Sequence, residues 1–401
     1  MAEASLESSV KVMNDIEWKD ECLSLTDIKD DLPKICKYDG QLPTGLRLYS
    51  HQPVLLYKCY QKRKGNVRTI YRDPAGPFYE VGQTLQIPDD FEGWFELVPP
   101  DYGRGRYCET IEDLAKGIAQ TFFTKTNLTG IRVDSSENDE HAYFQRKIAA
   151  GTVLKIKSAF NAKWRTCVEK GLRKKKQKEW ITSDIQYLKC IDCEDQEVLI
   201  PYSARGKFHP VYQSGNNDSK CVFRMKDILS DLTLPVKVRL IYGKPPVVPC
   251  IFTGMLVVKD CKTEDVIVGS TITFRRHALF ELPVTGDTAV YIPKSESIFE
   301  NMKSYKDAIK LCEKYSDSYS SLIKLSPELD TQQQMIQHIP TEKYNLRNDS
   351  LKTLDLITNI SLTDDEPHLM ESSSDTASEQ SLTMGTLVEL KELKRPSSMM
   401  C

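Results

Sequence analysis

The chain has 401 residues, 40% of them hydrophobic, enough for two or three packed units with a real core. Its 54 basic and 57 acidic side chains leave a net charge of −3, so no global field draws it to nucleic acid or a membrane surface. No run approaches the roughly 20 apolar residues of a membrane span. The first ten residues lack a signal peptide's layout, and the twelve dispersed cysteines are expected as free thiols of a cytoplasmic compartment.

Residues 1–15 are expected to be flexible. From 25 to 35, L-T-D-I-K-D-D-L-P-K-I reads as a short helix that ends at Leu32-Pro33 and passes into a strand. V-L-L-Y-K-C-Y at 54–60 is β-rich and predicts a strand. L-Q-I-P-D-D-F-E-G-W-F at 85–95 follows. Its Pro88 favours a strand end, since it cannot donate to a ladder, and Gly93 suits a positive φ or a close approach of another backbone. T-I-E-D-L-A-K-G-I-A at 110–119 predicts a helix with Thr110 as N-cap and acidic residues in the first turn. T-V-L-K-I-K at 152–157 predicts another strand.

A second version of the same phrase then begins. Leu188-Lys189-Cys190 matches Tyr57-Lys58-Cys59, and V-L-I-P-Y-S-A-R-G-K-F at 198–208 matches 85–95 when Pro201 is aligned on Pro88. Ile87, Phe95, Ile200, Gly206 and Phe208 are the shared framework, with the phenylalanines expected as core anchors. R-M-K-D-I-L-S-D-L at 224–232 repeats the helix and Leu234-Pro235 ends it. Strands are expected at 236–242 and 266–274, and F-E-L-P-V at 280–284 is a third, degenerate copy without Gly-x-Phe. A pattern that recurs at a distance marks a duplicated structural unit. The expected architecture is mainly β with a few short helices, built as small barrel-like or sandwich-like units at about 24–107, 108–221 and 222–300.

N-M-K-S-Y-K-D-A-I-K-L-C-E-K at 301–314 has helical spacing and is expected to pack on the last unit. From 315 to 401 the chain is dense in Ser, Thr, Asp and Glu, which predicts a disordered acidic tail with a transient helix at 386–395. Tyr315, Tyr319 and Tyr344 lie in acidic or polar surroundings there and are candidate phosphorylation sites, as is Ser397 in R-P-S-S.

Hydrophobic-x-Cys, a gap, then hydrophobic-x-Ile-Pro and Gly-x-Phe resemble the core motif of the CABIT family, which includes the Themis and Garem adaptors. Cys190, Ile200, Pro201, Gly206 and Phe208 carry the better copy, with Ile200 where the family usually has Leu. Cys59, Ile87, Pro88, Gly93 and Phe95 carry the other, with Asp89 at a position the family keeps hydrophobic. I-E-W-K-D at 16–20, L-P-K-I-C-K-Y-D-G at 32–40 and G-L-R at 45–47 are similar to the start of a Garem-type domain, and the resemblance covers about 16–310 as one domain. It implies a non-enzymatic adaptor downstream of tyrosine kinases, with Src-homology-2/3 adaptors or tyrosine phosphatases as partners. No Tyr here is followed by Asn two residues later, and K-P-P-V-V-P at 244–249 reads as a loop rather than a Src-homology-3 ligand.

Other candidates are weighed on their chemistry. Cys190-Ile191-Asp192-Cys193 lacks the second ligand pair of a zinc site and the helix N-terminus of a redox pair, so it reads as buried structural cysteine. Arg173, Lys174, Lys175, Lys176 and Lys178 form a basic run, either a solvated loop or a docking element for anionic lipid, phosphotyrosine-bearing partners or an import receptor. Y-G-R-G-R at 102–106 follows a Pro-Pro turn rather than a strand, a weak phosphate-loop signal. No catalytic, metal or cofactor set is defensible among the six scattered histidines.

Overall fold

The computed structural model describes residues 16–38, 52–72, 78–98, 107–135, 141–170, 177–214, 221–246, 248–273, 277–326, 336–338 and 386–393. In chain order the elements used below begin with α1 (Leu25–Ile28), β1 (Lys34–Tyr38), β2 (Pro53–Arg72), β3 (Phe78–Pro88) and β4 (Trp94–Leu97). β5 (Cys108–Thr110), α2 (Ile111–Lys116), β6 (Thr121–Thr124), β7 (Val153–Lys170), β8 (Gln177–Ile191), β9 (Glu197–Pro201) and β10 (Arg205–Pro210) come next. α3 (Met225–Asp231), β11 (Val236–Tyr242), β12 (Met255–Thr271), β13 (Leu279–Pro283) and α4 (Lys303–Ser320) complete them. The protein is mainly β, as expected, and its sheets do not close into barrels.

Three short helices start alike, for a shared local reason. Asp27, Asp113 and Asp227 each stand three residues after the cap position, at Ser24, Thr110 and Arg224. The Asp27 and Asp227 carboxylates accept from the cap backbone N–H at 2.9 and 3.0 Å, and the Thr110 hydroxyl accepts from Asp113 N–H at 3.0 Å. Each satisfies a donor that a helix start leaves unpaired, and the carboxylate suits the positive end of the helix dipole. The helix–Leu-Pro–strand phrase holds at both Leu32-Pro33 and Leu234-Pro235, and both bonds are cis.

The chain divides into two compact units, Met1–Phe95 with Phe223–Asp349 and Glu96–Val222 with Ser350–Cys401. The stretch expected as a third unit therefore completes the first. Its strand β12 runs antiparallel along β2 from Leu256↔Thr69 to Thr271↔Val54, and β13 pairs with β12. A strand as long as β2 exposes one edge to β3 and the other to β12, so sequence neighbours and ladder neighbours need not coincide. Leu25, Val54, Leu56, Ile267, Phe280 and Leu282 form one core cluster of this unit.

The second unit is a nine-stranded sheet containing, in order, β5, β10, β6, β7, β8 and β9. Its core gathers Ile111, Leu114, Phe122, Leu154, Leu188, Cys190, Ile200 and Phe208. The segment expected as a transient helix at 386–395 is instead a strand over Thr386–Leu393, antiparallel to β7. T-L-V-E-L-K-E-L alternates apolar and polar residues through much of its length, which suits a strand's period of two.

The first residues of the stretch expected as tail from 315 are structured. α4 continues to Ser320, and Lys324–Leu325 pairs with β3. The helix buries Ser304, Ala308, Cys312, Ser316 and Ser320, one residue per turn at a spacing of four. These small side chains let the helix lie close to the sheet, and a hydrophobicity count does not register such a stripe.

Candidate functional site

Within the first unit, the turn after Pro88 and the C-terminal turns of α4 border a groove of about 1050 Å³. Phe91 and Glu92 line it from the turn, Ile241, Tyr242, Gly243 and Lys244 from the end of β11, and Tyr315, Tyr319 and Leu322 from α4 and its exit. Tyr242 and Tyr315 are 40% and 42% exposed, two aromatic rings bordering the same groove. Gly93 explains the shape of the turn. A Cβ there would sit 2.1 Å from Cε1 of Phe91, so only glycine lets that ring lie against the backbone. Gly206 plays the same part in the second unit, where a Cβ would sit 2.8 Å from Cζ of Phe208. Close approach, rather than positive φ, is what both positions require.

Charge pairs fix α4 against β2. Along β2, Lys58, Tyr60, Lys62 and Lys64 alternate with residues of the opposite face. Asp317 of α4 accepts from Lys58 Nζ at 3.1 Å and from Tyr60 Oη at 2.7 Å. Hydrogen bonds from Tyr60 and Lys58 hold the Asp317 carboxyl below its ordinary range. Lys62 Nζ donates to Asp90, which also accepts from Ser321 Oγ at 2.7 Å, tying the repeat's turn to the end of the helix. Deeper in, Glu281 receives Lys64 Nζ at 2.6 Å and Lys324 Nζ at 2.8 Å, and Lys64 reaches Glu264 at 2.9 Å. Burial alone would raise the Glu281 pKa, but Lys324 and Lys64 outweigh it and hold the carboxyl below its ordinary value.

The framework residues fall in cores rather than in an open site. Ile87, Phe95, Cys190, Ile200 and Phe208 are fully buried, Pro88 is buried, and Pro201 and Gly206 are half-buried. The two cysteines are not equivalent. Aligned on the hairpins, Gly65↔Ile87 and Val67↔Leu85 match Leu188↔Ile200 and Cys190↔Val198, so Val67 stands where Cys190 does. Cys59 is half-buried and lies opposite Ile267 of β12. Cys193 is exposed while Cys190 is buried, so the two thiols of Cys-x-x-Cys differ in environment.

The tyrosines separate by exposure. Tyr315 faces solvent, with Lys314 Nζ 4.9 Å from its ring centroid. Tyr319 is half-buried beneath Lys324 Nζ, and burial together with Glu281 pushes its hydroxyl pKa up. Tyr344, Ser397 and residues Arg173, Lys174, Lys175 and Lys176 lie outside the described residues. Lys178 belongs to strand β8, opposite Glu169, rather than to a loop. Among the described residues no group of three or more His, Cys, Asp or Glu is placed to hold a metal ion. None of the described helices is long and apolar enough to cross a membrane.

The groove was not legible in advance, because its walls come from residues near 90, 242 and 315. A family model described as "CABIT: Cell-cycle sustaining, positive selection" matches residues 34–300. No curated protein and no solved structure matches the chain.

Proposed function

The chain belongs to the CABIT family, and from that premise we propose that it is a non-enzymatic adaptor or regulator of cytoplasmic signalling downstream of tyrosine kinases. The observation that carries this reading is the groove of about 1050 Å³ with Tyr242 and Tyr315 exposed at its rim. Exposed aromatic side chains beside an apolar floor (Ile241, Leu279, Leu322) are the usual anchors of a protein interface. The partners proposed are Src-homology-2-containing adaptors or tyrosine phosphatases.

Tyr315 supplies the regulation. Phosphorylation would place about −1.5 to −2 charges at the groove's rim, within the reach of an Arg-lined phosphotyrosine pocket. Tyr319 is shielded in the same helix, so the two respond differently to a kinase. Tyr344 and Ser397 extend the proposal to the chain beyond the groove.

Affinity capture from kinase-stimulated cells tests it. The wild-type chain is expected to recover an Src-homology-2-containing protein, and Tyr242→Ala to reduce recovery by roughly tenfold or more, the scale of an interface hot spot. Tyr315→Phe is expected to remove the dependence on stimulation while leaving basal recovery. Recovery of neither an adaptor nor a phosphatase by the wild-type chain overturns the proposal.

A further inference from the structure

Strand β7 of the second unit has an edge that its sheet neighbours leave open. On one side β7 pairs with β8 over most of its length, from Lys155↔Ile191 to Lys170↔Gln177. On the other side β6 covers only Val153–Lys155, and the Ile156 N–H then donates to the Gln120 carbonyl at 2.7 Å. Beyond Ile156, the one ladder on that edge among the described residues is with the tail segment Thr386–Leu393. Such an edge presents a row of backbone N–H and C=O groups, a template for another strand. Phe160 and Ala162 of β7 are buried in a cluster with Tyr187 of β8 and Leu199 of β9, so packing within the sheet holds the edge in place.

The tail segment fits this edge and is lightly held there. Its ladder runs from Ala159↔Leu393 to Arg165↔Thr386 and sets Leu390 across from Ala162 and Glu389 across from Lys163. Apolar against apolar and acidic against basic are cross-strand combinations that favour a register. The register shifts between Lys163 and Trp164, where Val388 is the extra residue, so the ladder is regular only from Ala159 to Lys163. β7 is the segment's one strand partner among the described residues. A strand tied along a single edge belongs to the low-stability end of a fold, and it opens without unfolding the sheet beneath it.

We propose that β7 from Ala159 to Arg165 is a strand-docking site whose occupant is the chain's own segment Thr386–Leu393, bound reversibly as a tethered competitor for that edge. Affinity comes from main-chain hydrogen bonds along the ladder, and the pattern of alternate side chains selects among extended segments. Because the occupant is part of the same chain, its effective concentration at the edge exceeds that of a free peptide. It therefore excludes weaker extended segments and yields to a tighter one. The tail thus controls access to an edge that would otherwise recruit strands, and none of the groove residues of the first unit takes part.

The test is hydrogen exchange on the full chain, comparing the wild type with Leu390→Pro/Lys391→Pro. Successive N–H groups of a strand face opposite sides, so one of the two prolines removes a donor to β7 whatever the phase of the ladder. The amides of 159–165 that face the tail are expected to exchange tenfold faster or more in the variant. Those of 187–191, paired with β7 and β9, are expected to keep their protection, which shows the sheet intact. A fluorescein-labelled peptide of residues 384–395 is expected to bind the variant saturably and the wild type at least tenfold more weakly. Equal exchange at 159–165 in the two proteins, or a peptide that binds both alike or neither, overturns the docking site. Wild-type protection that rises with protein concentration also overturns it, because the occupant is then the tail of a second copy.

Discussion

Replacing Glu281 by alanine is expected to lower the unfolding free energy of the first unit by roughly 3–5 kcal/mol, the cost of breaking a buried ion pair. Glu281 is 6% exposed and receives two lysines whose side chains are 3% and 11% exposed. Removing it leaves Lys64 with Glu264, while Lys324 keeps the Ser320 carbonyl at 3.2 Å and the face of the Tyr319 ring, 4.9 Å from its centroid, neither of them a countercharge. Burial pulls the Lys324 pKa down and Glu281 opposes that, so without the carboxylate the ammonium is desolvated and unmatched. Urea unfolding followed by circular dichroism measures the change. A loss below about 1 kcal/mol would show that water reaches Lys324 and that the pair is energetically superficial.

Two controls separate charge from packing. Glu281→Leu with Lys324→Met replaces both ions with apolar side chains of similar size, and is expected to recover most of the loss, because satisfied desolvation is cheap once neither charge is present. The pH dependence gives the second. Glu281 is held below its ordinary carboxylate value of 4.5, so its contribution is complete above that pH and is lost as the pH falls below it. Glu281→Gln is expected to flatten that acid limb. The functional consequence follows from geometry: Lys324 and Ser321 anchor the exit of α4, so loosening them is expected to open the groove and weaken partner capture alongside stability.

Much of this was legible in the sequence wherever the physics is local. Thr110 followed by Asp113 announced a helix start, and the same spacing recurs at Ser24–Asp27 and Arg224–Asp227. The repeated Ile-Pro and Gly-x-Phe steps marked strand ends and buried rings in both units. What failed depended on long-range pairing or on residue size. The stretch 222–300 looked like a third unit because its phrase repeats, yet β12 lies along β2, and ladder choice is not written in a motif. Cys59 and Cys190 align in sequence, but the hairpin register puts Val67 opposite Leu85 in that place. Y-S-D-S-Y-S-S has a tail's composition, yet Ser316 and Ser320 within it continue the packing face of small residues that Ser304, Ala308 and Cys312 begin.

Phe208→Ala is expected to cost the second unit roughly 3–5 kcal/mol, the range for truncating a buried phenylalanine. The ring is fully buried and meets Phe122 edge to face, with centroids 5.9 Å apart at 89°. Gly206→Ala should cost less, roughly 1–3 kcal/mol, because its new Cβ would press on Cζ of Phe208 at 2.8 Å and force the ring or backbone to shift. The two changes act on the same space, so they should not add. With the ring gone the methyl keeps only the tight contact with Thr126 Cβ at 3.3 Å and fills part of the cavity, and Gly206→Ala/Phe208→Ala is expected to be little worse than Phe208→Ala alone. Hydrogen exchange of peptides covering 182–214 reads this unit separately from the rest of the chain. A strictly additive double variant would mean that Gly206 is needed for its backbone freedom, and that the Gly-x-Phe spacing does not exist to seat the ring on the glycine.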